Sequence, residues 1–196
     1  MRVAITGGTG FVGRHLAERL DTADAVIVSR RTGVPIDDVD ALSTAFAGCD
    51  VVAHCAGINR EIGNQTFLRV HIDGTRAVIE AARRAGVQRI VMLSFLRARP
   101  DCGSAYHETK WAAEELIRQS GIDHTILKAG MIYGPGDHMI DHATRAVRTW
   151  PVFATVGYRD RTVRPVPVEE AVNVLLAALE GACSHPNRRP PWSRGA

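Results

Sequence analysis

The run Thr6-Gly7-Gly8-Thr9-Gly10-Phe11-Val12-Gly13, directly after the apolar Val3-Ala4-Ile5, constrains the fold of this chain more than any other feature. A short β-branched run, glycines at every third position, and then apolar positions at Phe11, Val12, Leu16 and Leu20 predict a strand over 3–6 turning tightly into a helix over 10–20. Each glycine has a separate task. Gly7 permits the tight turn. Gly10 leaves the backbone bare where a pyrophosphate approaches, and Gly13 lets the helix pack close to the sheet. The unpaired amides at the start of a helix, together with its dipole, favour phosphate charge. Thr9, Phe11 and Val12 therefore join the three glycines as the expected phosphate-binding turn.

The rest of the chain alternates short apolar runs with helical stretches, the pattern of a parallel sheet with crossover helices. Strands are expected over 25–29, 34–36, 50–56, 89–94, 124–129 and 163–166. Helices are expected from Asp40, as cap, through Phe46; over 66–85, stopped by Gly86; over 105–120, stopped by Gly121; over 140–149; and over 168–179. The strand over 50–56 is continuously apolar, as a strand buried on both faces should be. The expected fold is a doubly wound parallel sheet of the Rossmann type, one α/β domain over 1–183. The Pro- and Arg-rich tail over 184–196 is expected to be disordered.

Composition narrows the function classes. With 196 residues the chain is long enough for one core, and its formal net charge of +3 makes no electrostatic case for nucleic acid. No apolar run is long enough to span a bilayer, and the N-terminus begins on a strand rather than a leader. The four cysteines show no CxxC spacing, so a cytoplasmic location is expected; a monomer or homodimer is expected as well. Asp137, His138, Asp141 and His142 lie close together, but nothing completes a coordination set and no metal is expected. His54, inside an apolar strand, reads as a core histidine.

Two further sets of residues carry chemistry. At the end of the second strand an NAD site usually has a carboxylate that holds the ribose 2′-hydroxyl. Here Ser29-Arg30-Arg31 stands instead, and a guanidinium suits a 2′-phosphate, which favours NADP(H) while leaving NAD possible; solvated loop charge is the alternative reading of these arginines. Tyr106 and Lys110 are four apart, hence on one helix face. An ammonium beside a phenol lowers its pKa and equips it as a general acid or base, and Lys110 is also placed to hold the nicotinamide ribose. Ser94 ends the fifth strand, at the sheet edge where a ligand crevice opens, and offers a hydroxyl to a substrate carbonyl or alcohol.

TGGTGFVG at 6–13, DVVAHCAG at 50–57, HIDGTRAVIEAARRAGV at 71–87, YHETKWAAEELI at 106–117, LKAGMIYGPGD at 127–137 and RPVPVEEAV at 164–172 together resemble the short-chain dehydrogenase/reductase superfamily. The nearest likeness is to its extended and atypical branch of NAD(P)-dependent epimerase/dehydratase-like and complex I accessory-subunit-like proteins. The resemblance implies hydride transfer between the nicotinamide and a carbon bearing a hydroxyl or ketone. Tyr106 would be the acid/base, Lys110 the ribose anchor and Ser94 the polarising hydroxyl. Cys55, Ala56 and Gly57 would line the adenine-side ribose and pyrophosphate channel. Ile36 stands beside the adenine, and Ala129 and Met131 near the nicotinamide. Five positions depart from the pattern: His71 replaces an Asn, Phe95 a second Ser, Lys128 an Arg, Ala129 a Pro, and Pro35, with Ile36 beside it, the Asp that touches the adenine. The family-like pattern stops near Glu180, so an abbreviated substrate region is expected. The expected function is thus an NADP-dependent oxidoreductase or epimerase acting on a hydroxyl or carbonyl. The alternative is an NADP(H)-binding redox-sensing or assembly protein without turnover.

Overall fold

A computed structural model of the chain describes residues 1–137 and 164–181, together with 144, 145 and 147–149. Five parallel strands, β1 (Val3–Thr6), β2 (Ala25–Val28), β3 (Val51–His54), β4 (Arg89–Phe95) and β5 (Asp123–Ala129), form a sheet in the order β2-β1-β3-β4-β5. The connections from β1 and from β3 therefore run toward opposite edges of the sheet, and a crevice opens between the carboxyl ends of these two strands. The doubly wound α/β architecture follows from this order.

Alternation along the strands builds a core on each face. Ala4, Val52, Ile90 and Met92 pack with Leu42 and Phe46 of α2 (Val39–Phe46), Val78 of α3 (Gly74–Ala85) and Ile117 of α4 (Ala105–Arg118). Val3, Ile5, Val51, Ala53 and Val91 pack with Leu16 of α1 (Phe11–Ala17) and Val172 and Leu175 of the last described helix, α5 (Val168–Leu179). Because both faces are covered, the central strands carry apolar residues at consecutive positions. A separate parallel pair, β6 (Met131–Tyr133) and β7 (Pro165–Pro167), leads into α5.

Three local expectations are corrected. No strand forms over 34–36. After β2 the chain enters a 3-10 turn, Arg30–Thr32, closed by reciprocal hydrogen bonds between Ser29 and Thr32 and left through Gly33 at φ +82°. The Val34 amide then returns to the Ser29 carbonyl at 2.9 Å, so it is used locally and is lost to strand pairing. The cap of α2 is Asp38 rather than Asp40, its Oδ1 accepting from the amides of Asp40 and Ala41 at 3.1 and 3.0 Å. The helix expected over 66–85 is interrupted by a wider, π-type turn at Leu68–Asp73 before α3 begins. Gly86 does terminate α3, at φ +72°. Of the helix expected over 140–149, residues 144, 145 and 147–149 are described and helical; the other five, and the whole tail from Ser184, fall outside the described residues. No helix among the described residues is long and apolar enough to cross a membrane.

Candidate functional site

The glycine turn sits at the carboxyl end of β1, and its tolerances are those of a backbone cradle. Gly7 has φ +68°, and a Cβ there would stand 2.8 Å from Ala56 Cα and 2.9 Å from Ala56 N. The segment after β3 therefore lies directly against the turn, which places Cys55, Ala56 and Gly57 beside it. A Cβ on Gly13 would collide with the Gly7 carbonyl oxygen and stand 2.8 Å from Gly8 Cα, so Gly13 serves the contact between α1 and the turn itself rather than the sheet. At Gly10 a Cβ would meet only the Gly7 carbonyl, at 3.0 Å, leaving its outer side open. The first turn of α1 has no side-chain cap and no acidic residue. Phe11 and Val12 pack their side chains on the core below. Thr9 is half-buried at the same turn. An uncapped helix start, glycine backbone and the absence of negative charge together suit the pyrophosphate of a dinucleotide.

At the end of β2 the Ser29 hydroxyl accepts from the Thr32 amide at 3.2 Å and so builds the turn that carries Arg30 and Arg31. Both arginines are exposed, and neither has an ion pair among the described residues. Ile36 is half-buried and packs on Gly74, where a Cβ would stand 2.9 Å from Ile36 Cγ1. The loop holding Ile36 is tied down by Asp37, which pairs with Arg69 at 2.6 Å.

Tyr106 and Lys110 lie one turn apart on α4. The start of α4 is set by Glu108, whose Oε1 accepts from the amides of Cys102 and Gly103 at 2.8 and 2.7 Å and holds the preceding loop. The Tyr106 ring is walled by Phe67, His71, Phe95 and His107, with centroids 5.5 to 5.7 Å away. Lys110 is buried, and its Nζ donates to the Leu93 carbonyl at 3.0 Å. A Cβ on Gly57 would stand 3.7 Å from Lys110 Nζ and 3.6 Å from His71 Nε2, so two expected site residues and one unexpected one converge at this point.

The electrostatics differ from the expectation for Tyr106. Burial raises its pKa from the ordinary tyrosine value, the opposite direction to the lowering expected from a neighbouring ammonium. Burial pulls Lys110 down to about 8, with Cys55 and Glu114 acting the other way. Burial pushes the Cys55 thiol up to about 12, opposed by the Lys110 charge.

Ser94 is buried, and its hydroxyl donates to Glu114 Oε1 at 2.6 Å. Glu114 is fully buried on α4, and its other oxygen, Oε2, accepts from Arg118 and Lys128 at 3.0 and 3.1 Å. Lys128 also donates to the Ala98 carbonyl at 3.0 Å. The spacing Tyr106, Lys110, Glu114 continues one helix face, the only sign in the sequence that Glu114 belongs to this region. Ala129 pairs in register with Phe95, whose ring touches Tyr106, and Met131 begins β6.

Two hydrogen-bond chains were not foreseen. In the first, the Ala56 amide donates to Thr6 Oγ1 at 3.4 Å and Thr6 donates to His54 Nδ1 at 2.7 Å. His54 Nε2 then donates to Thr75 Oγ1 at 3.0 Å, and Thr75 donates to the His71 carbonyl at 2.5 Å. His54 is thus a satisfied core histidine, held neutral by burial and by the nearby Lys110 charge, its pKa pulled down to about 3. In the second chain the Ile58 amide donates to His71 Nε2 at 3.2 Å, His71 Nδ1 donates to Thr109 Oγ1 at 2.9 Å, and Thr109 donates to the Ala105 carbonyl at 2.6 Å. Burial, then Lys110, pulls His71 down to about 3 as well. Among the described residues no group of three or more His, Cys, Asp or Glu is placed to hold a metal; His138, Asp141 and His142 lie outside them.

Comparison with known proteins agrees with this geometry. Residues 3–188 match the model of the NAD dependent epimerase/dehydratase family. Ceramide reductase of Caulobacter vibrioides is 34% identical over 191 residues, covering 89% of this chain and 60% of that protein, so the chain spans well under two thirds of its relative's length. The solved complex of MoeE5 with UDP-glucose and NAD superposes with a TM-score of 0.72 at 26% identity, over 95% of this chain and 73% of that one. A dTDP-glucose 4,6-dehydratase from Streptomyces venezuelae shares the fold with a TM-score of 0.76 at 19% identity, over 92% of this chain and 72% of that one. The glycine cradle against Ala56, the parallel sheet and the match over nearly the whole chain lead to one conclusion: this protein belongs to the NAD dependent epimerase/dehydratase family.

Proposed function

We propose that the chain binds NADP(H) and carries out oxidoreduction at a hydroxyl- or ketone-bearing carbon, with Tyr106 as general acid/base. One observation carries this reading. The segment 55–57 borders the phosphate cradle at Ala56 and Lys110 at Gly57, so a single bound dinucleotide running along it reaches from the glycine turn to the Tyr106–Lys110 pair. When bound, the nicotinamide supplies or accepts the hydride. In the reducing direction Tyr106 gives its phenolic proton to the carbonyl oxygen as the carbon takes the hydride; oxidation reverses both transfers. Lys110, protonated below about pH 8, opposes the cost of the phenolate that burial otherwise disfavours. Arg30 and Arg31, exposed and without carboxylate partners among the described residues, support a 2′-phosphate and hence NADP(H) over NAD(H).

The surroundings of Tyr106 support an apolar substrate. Phe67 and Phe95 stand against its ring, and Ile62, Leu68 and Leu96, in the segments that follow β3 and β4, are 59%, 58% and 44% exposed. The 34% identical relative named ceramide reductase is in keeping with this.

The test is a turnover screen with NADPH against long-chain ketones and sugar nucleotides, run beside Tyr106→Phe. The expected outcome is consumption of NADPH with an apolar ketone and a loss of at least about a hundredfold in kcat on Tyr106→Phe. Tight NADPH binding without turnover, unchanged by Tyr106→Phe, overturns the enzyme reading and leaves an NADP(H)-binding protein without turnover. The engagement of Ser94 with Glu114 is the observation that favours that second reading.

A further inference from the structure

We infer that His71 is a positioning residue for the Tyr106–Lys110 pair, its ring pinning Thr109 of α4 to the Ile58 amide beside the crevice. This rests on the reading of that pair as the reactive site. Thr109 lies between Tyr106 and Lys110 in the chain, so whatever fixes Thr109 fixes the setting of both. His71 is 2% exposed and uses both nitrogens, Nε2 accepting from Ile58 N–H at 3.2 Å and Nδ1 donating to Thr109 Oγ1 at 2.9 Å. Thr109 in turn donates to the Ala105 carbonyl at 2.6 Å, so only the neutral Nδ1–H tautomer satisfies every partner.

Four further observations hold the ring in place. Phe67 stacks on it, with centroids 5.5 Å apart and planes at 27°. The His71 carbonyl accepts from Thr75, which joins the ring's own backbone to the Thr6–His54 chain. The residue belongs to the π-type turn Leu68–Asp73, and such turns re-aim a side chain relative to a regular helix. Lys110 Nζ and His71 Nε2 both border Gly57. With both nitrogens engaged, His71 has no free lone pair or proton for a substrate and acts through Thr109 alone.

The test reads the ionisation of Tyr106, which needs no turnover. The ultraviolet phenolate signal of the full chain with NADPH is titrated, and the same titration on a Tyr106→Phe background is subtracted. His71→Phe keeps the stacked ring and loses both hydrogen bonds. Thr109→Val removes only the acceptor on α4. His71→Asn places an amide nitrogen where Nδ1 stands and restores the donor. The expected result is that His71→Phe and Thr109→Val let water reach Tyr106 and move its titration measurably down, toward the ordinary value of about 10, whereas His71→Asn matches the parent. Unchanged titration in His71→Phe and Thr109→Val overturns the inference, as does a shift in His71→Asn equal to that of His71→Phe. If His71→Phe does not fold, Thr109→Val and His71→Asn decide the question. A protein without turnover still gives this reading, so failure of the proposed activity and failure of the positioning role are separable.

Discussion

Ser94, near the carboxyl end of β4, donates its hydroxyl to Glu114 Oε1 at 2.6 Å, just over two helical turns along α4 from Tyr106. A fully buried carboxylate needs such partners, and Arg118 and Lys128 supply the others. Glu114→Ala leaves two cations facing one another without their anion and should cost about 3 kcal/mol, the low end for a broken buried pair because both cations are partly exposed. Ser94→Ala should cost about 1–3 kcal/mol. Urea unfolding measures both. A Ser94→Ala protein of unchanged stability and sharply reduced turnover would restore Ser94 to the role that its place at the end of a strand suggested.

Gly13→Ala should weaken nucleotide binding, because its Cβ has no place to go but into the Gly7 carbonyl. The obstructing atoms are backbone and cannot swing aside, so the turn itself must shift. Quenching or enhancement of NADPH fluorescence on titration should show at least a tenfold weaker Kd, about 1.4 kcal/mol. Binding equal to that of the parent would mean that the cradle does not hold the phosphates.

Arg30→Ala and Arg31→Ala test the nucleotide preference. A guanidinium on a 2′-phosphate acts on NADPH and leaves NADH untouched, so the double variant should lose about tenfold or more in NADPH affinity and little in NADH affinity. Equal losses for the two nucleotides remove the preference for NADP(H).

Acid should unfold this protein over a defined window. His54 and His71 have folded pKa values of about 3 against 6.5 in the free side chain, so between these values the unfolded chain binds protons that the folded chain refuses. Their contribution to stability is therefore complete above about pH 6.5 and is lost as pH falls toward 3, at up to about 1.4 kcal/mol per pH unit for each histidine. Lys110, lowered to about 8 from 10.5, has the same sign in its own window, so stability should also rise with pH between these two values. Thermal midpoints across pH 4–7 should slope upward, and His54→Asn should flatten that slope; a flat parent profile contradicts the buried neutral state.

The parts read correctly from the chain are those governed by neighbours in sequence. The glycine turn, the stop of α3 at Gly86 and the one-face spacing of Tyr106 and Lys110 follow from local backbone and helix geometry. The strand expected over 34–36 failed because Ser29 and Thr32 close a turn on each other, a local hydrogen-bond choice that apolar residues at Val34 and Ile36 do not reveal. The purpose of those two side chains, packing on the core at Gly74 and around it, exists only once α3 is docked.

The site divides in the same way. Sequence alone determined that a tight glycine turn stands at the end of β1, that basic residues follow β2, and that a phenol and an amine share a face of α4. Each is a matter of spacing along one element. Only the tertiary structure decided that Ser94 donates to Glu114, that burial raises Tyr106, and that His71 joins Ile58 to Thr109. These depend on burial and on contacts between residues 13 to 38 apart in the chain, where desolvation and hydrogen-bond geometry, not residue type, set what a side chain does.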